Sequence, residues 1–161
     1  MIRILGIDPG YERLGIAILE KQSPKDKLLY SECFQTPKTL SHPERLLMIG
    51  ERLNQVLETY SPTVLGIETL FFNTNQKTAM LVAETRGVIL YMCAQKKLSL
   101  REFSPPQIKA ATTGYGKADK KQVIDMVRRL IAISKEIKSD DEFDAIAVAL
   151  TASATSGQLS P

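Results

Sequence analysis

At 161 residues, with 43% hydrophobic and 24% charged side chains, the chain suits a single domain with its own core. A domain of this size buries roughly two-thirds of the surface its unfolded chain exposes. No uninterrupted apolar run approaches ~18 residues, which argues against a membrane span, and no basic-then-apolar segment opens the chain, so a soluble, cytoplasmic protein is expected. The formal charge of +3, from 21 Lys and Arg against 18 Asp and Glu, is too small to point to a partner. Its distribution is more telling: residues 96–138 hold eleven Lys or Arg against four Asp or Glu, a local +7 that leaves −4 for the remainder. Cys33 and Cys93 stand in unrelated contexts with neither CxxC spacing nor a third cysteine, and both read as reduced, half-buried thiols.

In chain order, residues 2–8 form a buried strand ending in the turn Asp8-Pro9-Gly10, where Pro presets φ. Leu14 to Glu20 is a second strand, joined to the first by a link short enough for an antiparallel pair. Lys27 to Thr36 adds a third. Ser41-His-Pro-Glu44 is a helix start with Ser at the cap and Glu at the capping-box position. Leu46, Leu47, Ile49, Leu53, Val56 and Leu57 then recur at helical spacing to about Tyr60, where Ser61-Pro62 stops the helix. A short buried strand over 63–68, a helix over 75–95 and a strand from Leu98 to Phe103 follow. Helices are predicted over 105–112, 119–133 and 141–153, and from about 154 the chain turns small and polar and is expected to fray. Strands separated by long helices tend to pair in parallel. The expectation is therefore one α/β domain spanning 1–161, a mixed sheet of five strands flanked by helices on both faces.

Four acidic residues interrupt this apolar pattern. Asp8 ends Ile-Arg-Ile-Leu-Gly-Ile, Glu68 ends Val-Leu-Gly-Ile, and Asp141 and Asp144 open the last helix. Open α/β sheets gather ligand sites at the C-terminal ends of their strands, where Asp8 and Glu68 both sit. Asp141 and Asp144 are three apart and share a helix face. Ionised carboxylates brought together repel until a cation neutralises them, and an all-oxygen set suits Mg²⁺ or Mn²⁺. Two such ions ~3.5–4 Å apart suit in-line hydrolysis of a phosphodiester.

Plainer readings compete at each position. Asp8 before Pro-Gly is also a turn former, and acids in the first turn of a helix complement its dipole. Asp140 lies four before Asp144, so periodicity alone leaves Asp140 and Asp141 as alternatives. A lone lysine is usually a solvated surface charge, and Phe71-Phe72 reads equally as core or as an exposed stacking group.

Taken in order along nearly the whole chain, several segments resemble the RuvC family of Holliday-junction resolvases. They are Ile-Leu-Gly-Ile-Asp8-Pro-Gly with Gly15 after it, Gly-Ile-Glu68-Thr-Leu-Phe71, Glu84-Thr-Arg-Gly87-Val and Pro106-Gln-Ile-Lys109. The match continues through Gly114-Tyr-Gly116-Lys-Ala-Asp-Lys120-Lys-Gln-Val123 and Asp141-Glu-Phe-Asp144-Ala-Ile-Ala. The resemblance implies a ribonuclease H-like fold and a metal-dependent endonuclease that cuts four-way DNA junctions in recombination and repair. It also implies that Asp8, Glu68, Asp141 and Asp144 are the metal-binding and catalytic carboxylates, with Asp-x-x-Asp-Ala selecting Asp141. Lys109 and Lys120 match basic residues near the scissile strand, and Phe71 matches an aromatic near the junction centre. Lys117 and Lys121 fall in the same basic window and join the DNA-contact candidates. Some relatives carry His at the third acidic position; Asp141 makes this site all-carboxylate.

Two symmetric nicks suit a two-fold homodimer, and helix 75–95, with Met80, Leu81, Val88, Ile89, Tyr91 and Met92, is the candidate interface, with ordinary core packing the alternative for much of that stripe. A branch-migration motor is a further partner the resemblance suggests. The rival functions are an ATP-dependent phosphotransferase of the actin and sugar-kinase type, disfavoured by the lack of a second related domain, and a non-catalytic nucleic-acid-binding module, disfavoured by the intact acidic quartet. His42 is the single histidine, which disfavours zinc and His-dependent chemistry.

Overall fold

A computed structural model describes residues 2–70 and 76–155. Three strands, β1 (Arg3–Asp8), β2 (Arg13–Glu20) and β3 (Lys27–Gln35), precede helix α1 (His42–Tyr60) and strand β4 (Val64–Glu68). Helix α2 (Gln76–Gln95), strand β5 (Ser99–Phe103) and helices α3 (Pro105–Thr113), α4 (Lys120–Leu130) and α5 (Asp140–Thr155) complete the order. The strands form one sheet in the order β3-β2-β1-β4-β5. β1, β2 and β3 pair antiparallel, while β4 lies parallel to both β1 and β5. This is the expected mixed five-stranded sheet.

Strand side chains alternate between faces, and the two faces carry separate cores. Leu5, Ile7, Ile16, Ile18, Leu65 and Ile67 pack under α1 and α2 through Ile49, Leu53, Val56, Ile89 and Cys93. Ile4, Ala17, Leu19, Val64 and Phe103 face α3, α4 and α5. Each fully buried Leu or Ile contributes about 1.5–3 kcal/mol, so the sheet is held from both sides. Helix starts follow their local chemistry. The Glu44 carboxylate accepts from the Ser41 backbone N–H at 2.7 Å, and α4 starts at Asp119, whose side chain accepts from the Gln122 N–H at 2.8 Å.

Helix α5 is buried nearly all round, from Glu142 through Ser153, and lies against the middle of the sheet. Its closeness depends on residues without side chains beneath it. A Cβ on Gly6 would meet the Ala149 Cβ at 2.6 Å and overlap the Ala145 carbonyl oxygen. One on Gly15 would overlap the Asp141 carbonyl oxygen and stand 3.1 Å from the Asp8 Cβ. Any larger residue would lift the helix off the sheet.

Two sequence expectations are corrected. Helix α4 ends at Leu130 rather than 133, because Ile131 turns extended (φ −135°, ψ 141°) to bury its side chain in the core. Cys93 is buried rather than half-buried, on the α2 face turned to the sheet, and burial pushes its thiol up to about 12. Within the proposed interface stripe of α2, Ile89 belongs to the core, whereas Met80 and Tyr91 are exposed.

Gly15→Ala is expected to lower stability by about 1–3 kcal/mol, the usual cost of overpacking. A thermal melt should register this as a fall of several degrees; an unchanged midpoint would show that α5 does not need the gap.

Candidate metal and nucleic-acid site

The site grows from a repeated tetrapeptide. Leu5-Gly6-Ile7-Asp8 on β1 and Leu65-Gly66-Ile67-Glu68 on β4 lie side by side in parallel register, Leu5 against Leu65, Gly6 against Gly66 and Ile7 against Ile67. The two-residue period that sends Leu and Ile to the α1–α2 face sends Gly, Asp and Glu to the α5 face. Asp8 and Glu68 therefore emerge as neighbours at the C-terminal edge of the sheet, beneath the first turns of α5. That helix brings Asp141 and Asp144.

Glu68 and Asp144 line a cavity of about 280 Å³ together with Lys109 of α3 and Lys120 of α4. Pro105, Ile108, Val123 and Ala147 supply its apolar wall. Asp8 and Asp141 stand beside this cavity, outside its lining, yet both belong to the same electrostatic cluster. The Asp8 carboxyl is pushed up to about 8, first by burial and then by Asp144, Glu68 and Asp141, with Lys120 acting in the opposite direction. Glu68 is raised by burial and by Asp144, against Lys120 and Lys109. Asp144 is raised by burial too, opposed by its hydrogen bond to Lys120. Asp141 adds to the rise of Asp8, and Asp140 to that of Asp144.

Side-chain cations already answer part of this excess charge. Lys120 Nζ lies 3.0 Å from Asp144 Oδ2 and 3.6 Å from Asp140 Oδ2. Burial pulls the Lys120 ammonium down, but its hydrogen bond to Asp144 and the surrounding carboxylates raise it overall. Arg13, at the start of β2, places Nε 3.1 Å from Asp141 Oδ2. Among the described residues no three His, Cys, Asp or Glu side chains are gathered into a ligand cage as they stand. The donor chemistry nevertheless fits a hard divalent cation: the cluster is all oxygen, crowded and desolvated, and an ammonium group already occupies its edge.

The sequence-derived candidates divide on this geometry. Asp8, Glu68, Asp141, Asp144, Lys109 and Lys120 converge. Lys117, in the α3–α4 turn, and Lys121, on α4, are exposed and outside the cavity lining. Phe71 lies outside the described residues. Sequence reasoning missed Arg13 and Arg86. Arg86 of α2 donates from Nε to the Glu68 carbonyl at 3.4 Å and pairs with Glu102 at the end of β5, bracing the Glu68 backbone from below. A charged residue inside an apolar helical stripe was the available signal for Arg86. For Arg13 the only signal was its position two residues before Gly15.

Residues 4–152 match the family described as crossover junction endodeoxyribonuclease RuvC. The RuvC of Thermosipho melanesiensis is 47% identical over 148 residues, covering 92% of this chain and 94% of the relative. That of Alkaliphilus oremlandii is 43% identical over 147 residues, covering 91% and 90%. Among solved structures, Thermus thermophilus RuvC in complex with a Holliday junction substrate superposes with a TM-score of 0.87 at 30% identity, covering 94% of this chain and 92% of that one.

The raised Asp8 carboxyl sets the pH response of the metal-free protein. Its value near 8 exceeds the unfolded ~3.9, so folding takes up protons between the two and stability falls as pH rises from about 4 to about 8. Asp8→Asn removes this liability. In chelator, its melting temperature should exceed wild type by several degrees at pH 8, with the gain shrinking towards pH 4. A gain independent of pH, or none, would contradict the burial and crowding of Asp8.

Proposed function

Because the chain belongs to the RuvC family of crossover junction endodeoxyribonucleases, we propose that its sheet-edge cavity hydrolyses phosphodiesters in a four-way DNA junction, resolving Holliday junctions in recombination and repair. The observation that carries the reading is the convergence of Asp8, Glu68 and Asp144, from β1, β4 and α5, beside Lys109 and Lys120. RuvC-type nucleases are metal-dependent.

Asp8, Glu68, Asp141 and Asp144 are proposed to hold Mg²⁺, or Mn²⁺ in its place, with two ions the preferred number. When bound, the metal would activate water and stabilise the departing oxygen. The protein's own groups bind and orient. Lys109 and Lys120 bring two ammonium groups to the cavity, where they match the charge of a phosphodiester, and such contacts position DNA without reading its sequence. The neighbouring carboxylates exclude any anion lacking a cation to shield it. Apolar side chains of Ile108 and Val123 limit water on one side. Lys117 and Lys121 extend the positive surface from the α3–α4 turn onto α4, and Phe71 is proposed to meet the bases near the junction centre.

Two nicks related by a two-fold axis suit a homodimer, with exposed Met80 and Tyr91 of α2 available to the second copy. A branch-migration motor complex and a cytoplasmic setting complete the proposal. Among the described residues, no helix is long and apolar enough to cross a membrane.

Incubated with a synthetic four-way junction and Mg²⁺ or Mn²⁺, the protein should make paired cuts. Asp8→Asn and Glu68→Gln should each reduce cleavage by at least about 10³-fold, a scale set by loss of metal and electrostatic catalysis, while junction binding persists. Lys109→Ala should cut more slowly with its fold intact. Binding without cleavage in either metal would overturn the enzymatic reading.

A further inference from the structure

Two cationic side chains flank the carboxylate cluster from opposite sides, and their partners differ. Lys120 occupies Asp144 Oδ2 at 3.0 Å with Asp140 at 3.6 Å. Arg13 holds Asp141 through Nε at 3.1 Å from Oδ2 and reaches Ser139 Oγ from a second nitrogen at 3.3 Å. Ser139 Oγ donates to the same Asp141 oxygen at 3.0 Å, and Cys33 Sγ stands 3.7 Å from it. Asp141 and Asp144 are thus both engaged by protein groups, while Asp8 and Glu68 have no salt-bridge partner among the described residues.

The two cations are also built to leave. Their side chains are about half exposed, 52% for Lys120 and 54% for Arg13. Their backbones stay fixed without the ion pairs. Lys120 opens α4 inside the Asp119–Gln122 capping box, and Arg13 is paired with Gln35 in the sheet. Half-exposed ion pairs contribute ~0.2–1 kcal/mol, so a multivalent competitor on either side can open them.

We infer that Lys120 and Arg13 serve as internal counter-cations for Asp144 and Asp141, neutralising the cluster without metal and yielding those carboxylates when a DNA phosphate draws them away. The inference rests on the proposed metal role of the cluster and adds an order to it. Phosphate binding to Lys120 and Arg13 unmasks the α5 carboxylates, and a divalent cation entering there frees the two cations for phosphate. DNA and metal then favour one another by the same factor, as linkage requires. Arg13 gains a function outside the six converging residues. It is a positioning residue for Asp141 before it is a phosphate contact.

Binding of Mn²⁺ alone, followed by the free-ion electron paramagnetic resonance signal, tests this without catalysis. Lys120→Met and Arg13→Met should each bind Mn²⁺ about three- to tenfold more tightly than wild type, because a competitor and a repulsive charge are both gone. Lys120→Arg should stay near wild type. In chelator, Lys120→Met should melt lower by up to about 4 °C, the most a lost ion pair gives a chain of this length, and Mn²⁺ should raise its midpoint more than that of wild type. Adding a short DNA duplex should tighten Mn²⁺ binding in wild type and less so in the Lys120→Met/Arg13→Met double variant. Equal or weaker Mn²⁺ affinity in the Met variants would overturn the counter-cation role while leaving the metal site standing. No Mn²⁺ uptake by any of these proteins, with DNA or without it, would remove the metal reading as well.

Discussion

Burial of neighbouring carboxylates, reinforced by their mutual repulsion, is the constraint on which this molecule's chemistry depends. Asp8, Glu68 and Asp144 come from three separate elements, and each is raised chiefly by burial, with acidic neighbours adding to it and Lys120 opposing it. An acidic cluster of this kind costs folding free energy, so it persists only if the scaffold holds it firmly. The scaffold does so by close approach. Helix α5 lies on Gly6 and Gly15 with no intervening side chain, and the two cores on opposite faces fix the sheet beneath it. The same seam that makes the helix immovable sets its acidic first turns over the ends of β1 and β4.

Compensating charge then has two sources. The protein supplies Lys120 and Arg13, flexible and half exposed, which suit a state awaiting substrate. Divalent cations supply the rest in the reading proposed for catalysis. A site that was fully neutral on its own would have no need of metal. One without internal cations would repel DNA before metal arrived. The arrangement sits between those limits and explains why basic and acidic side chains share one small cavity rather than separate surfaces.

Much of this was legible from sequence. The strand–turn–strand opening, the Ser41–Glu44 capping box and the acids at strand ends all follow from local chemistry, and the parallel register of β1 and β4 places Asp8 beside Glu68. The tetrapeptides Leu-Gly-Ile-Asp and Leu-Gly-Ile-Glu carry the geometry themselves: a two-residue period that buries Leu and Ile must turn Gly and the acid to the other face. What stayed hidden was contact between distant segments. Arg13 meets Asp141 across 128 positions of chain, and Arg86 braces a carbonyl whose partner no pattern announces. The end of α4 at Leu130 was equally illegible, since Ile131 leaves the helix for a core contact rather than at a Gly or Pro.

The most direct test of the buried-charge account is a count of protons released on metal binding. Calorimetric titration of Mn²⁺ into the free protein, repeated in buffers of different ionisation enthalpy, yields that number. With the Asp8 carboxyl near 8, binding at pH 7 should release close to one proton, because the cation requires the ionised form, and the release should vanish by about pH 9.5. Release of no protons at pH 7, with Mn²⁺ bound, would mean that Asp8 is already ionised and that burial and crowding do not govern the site.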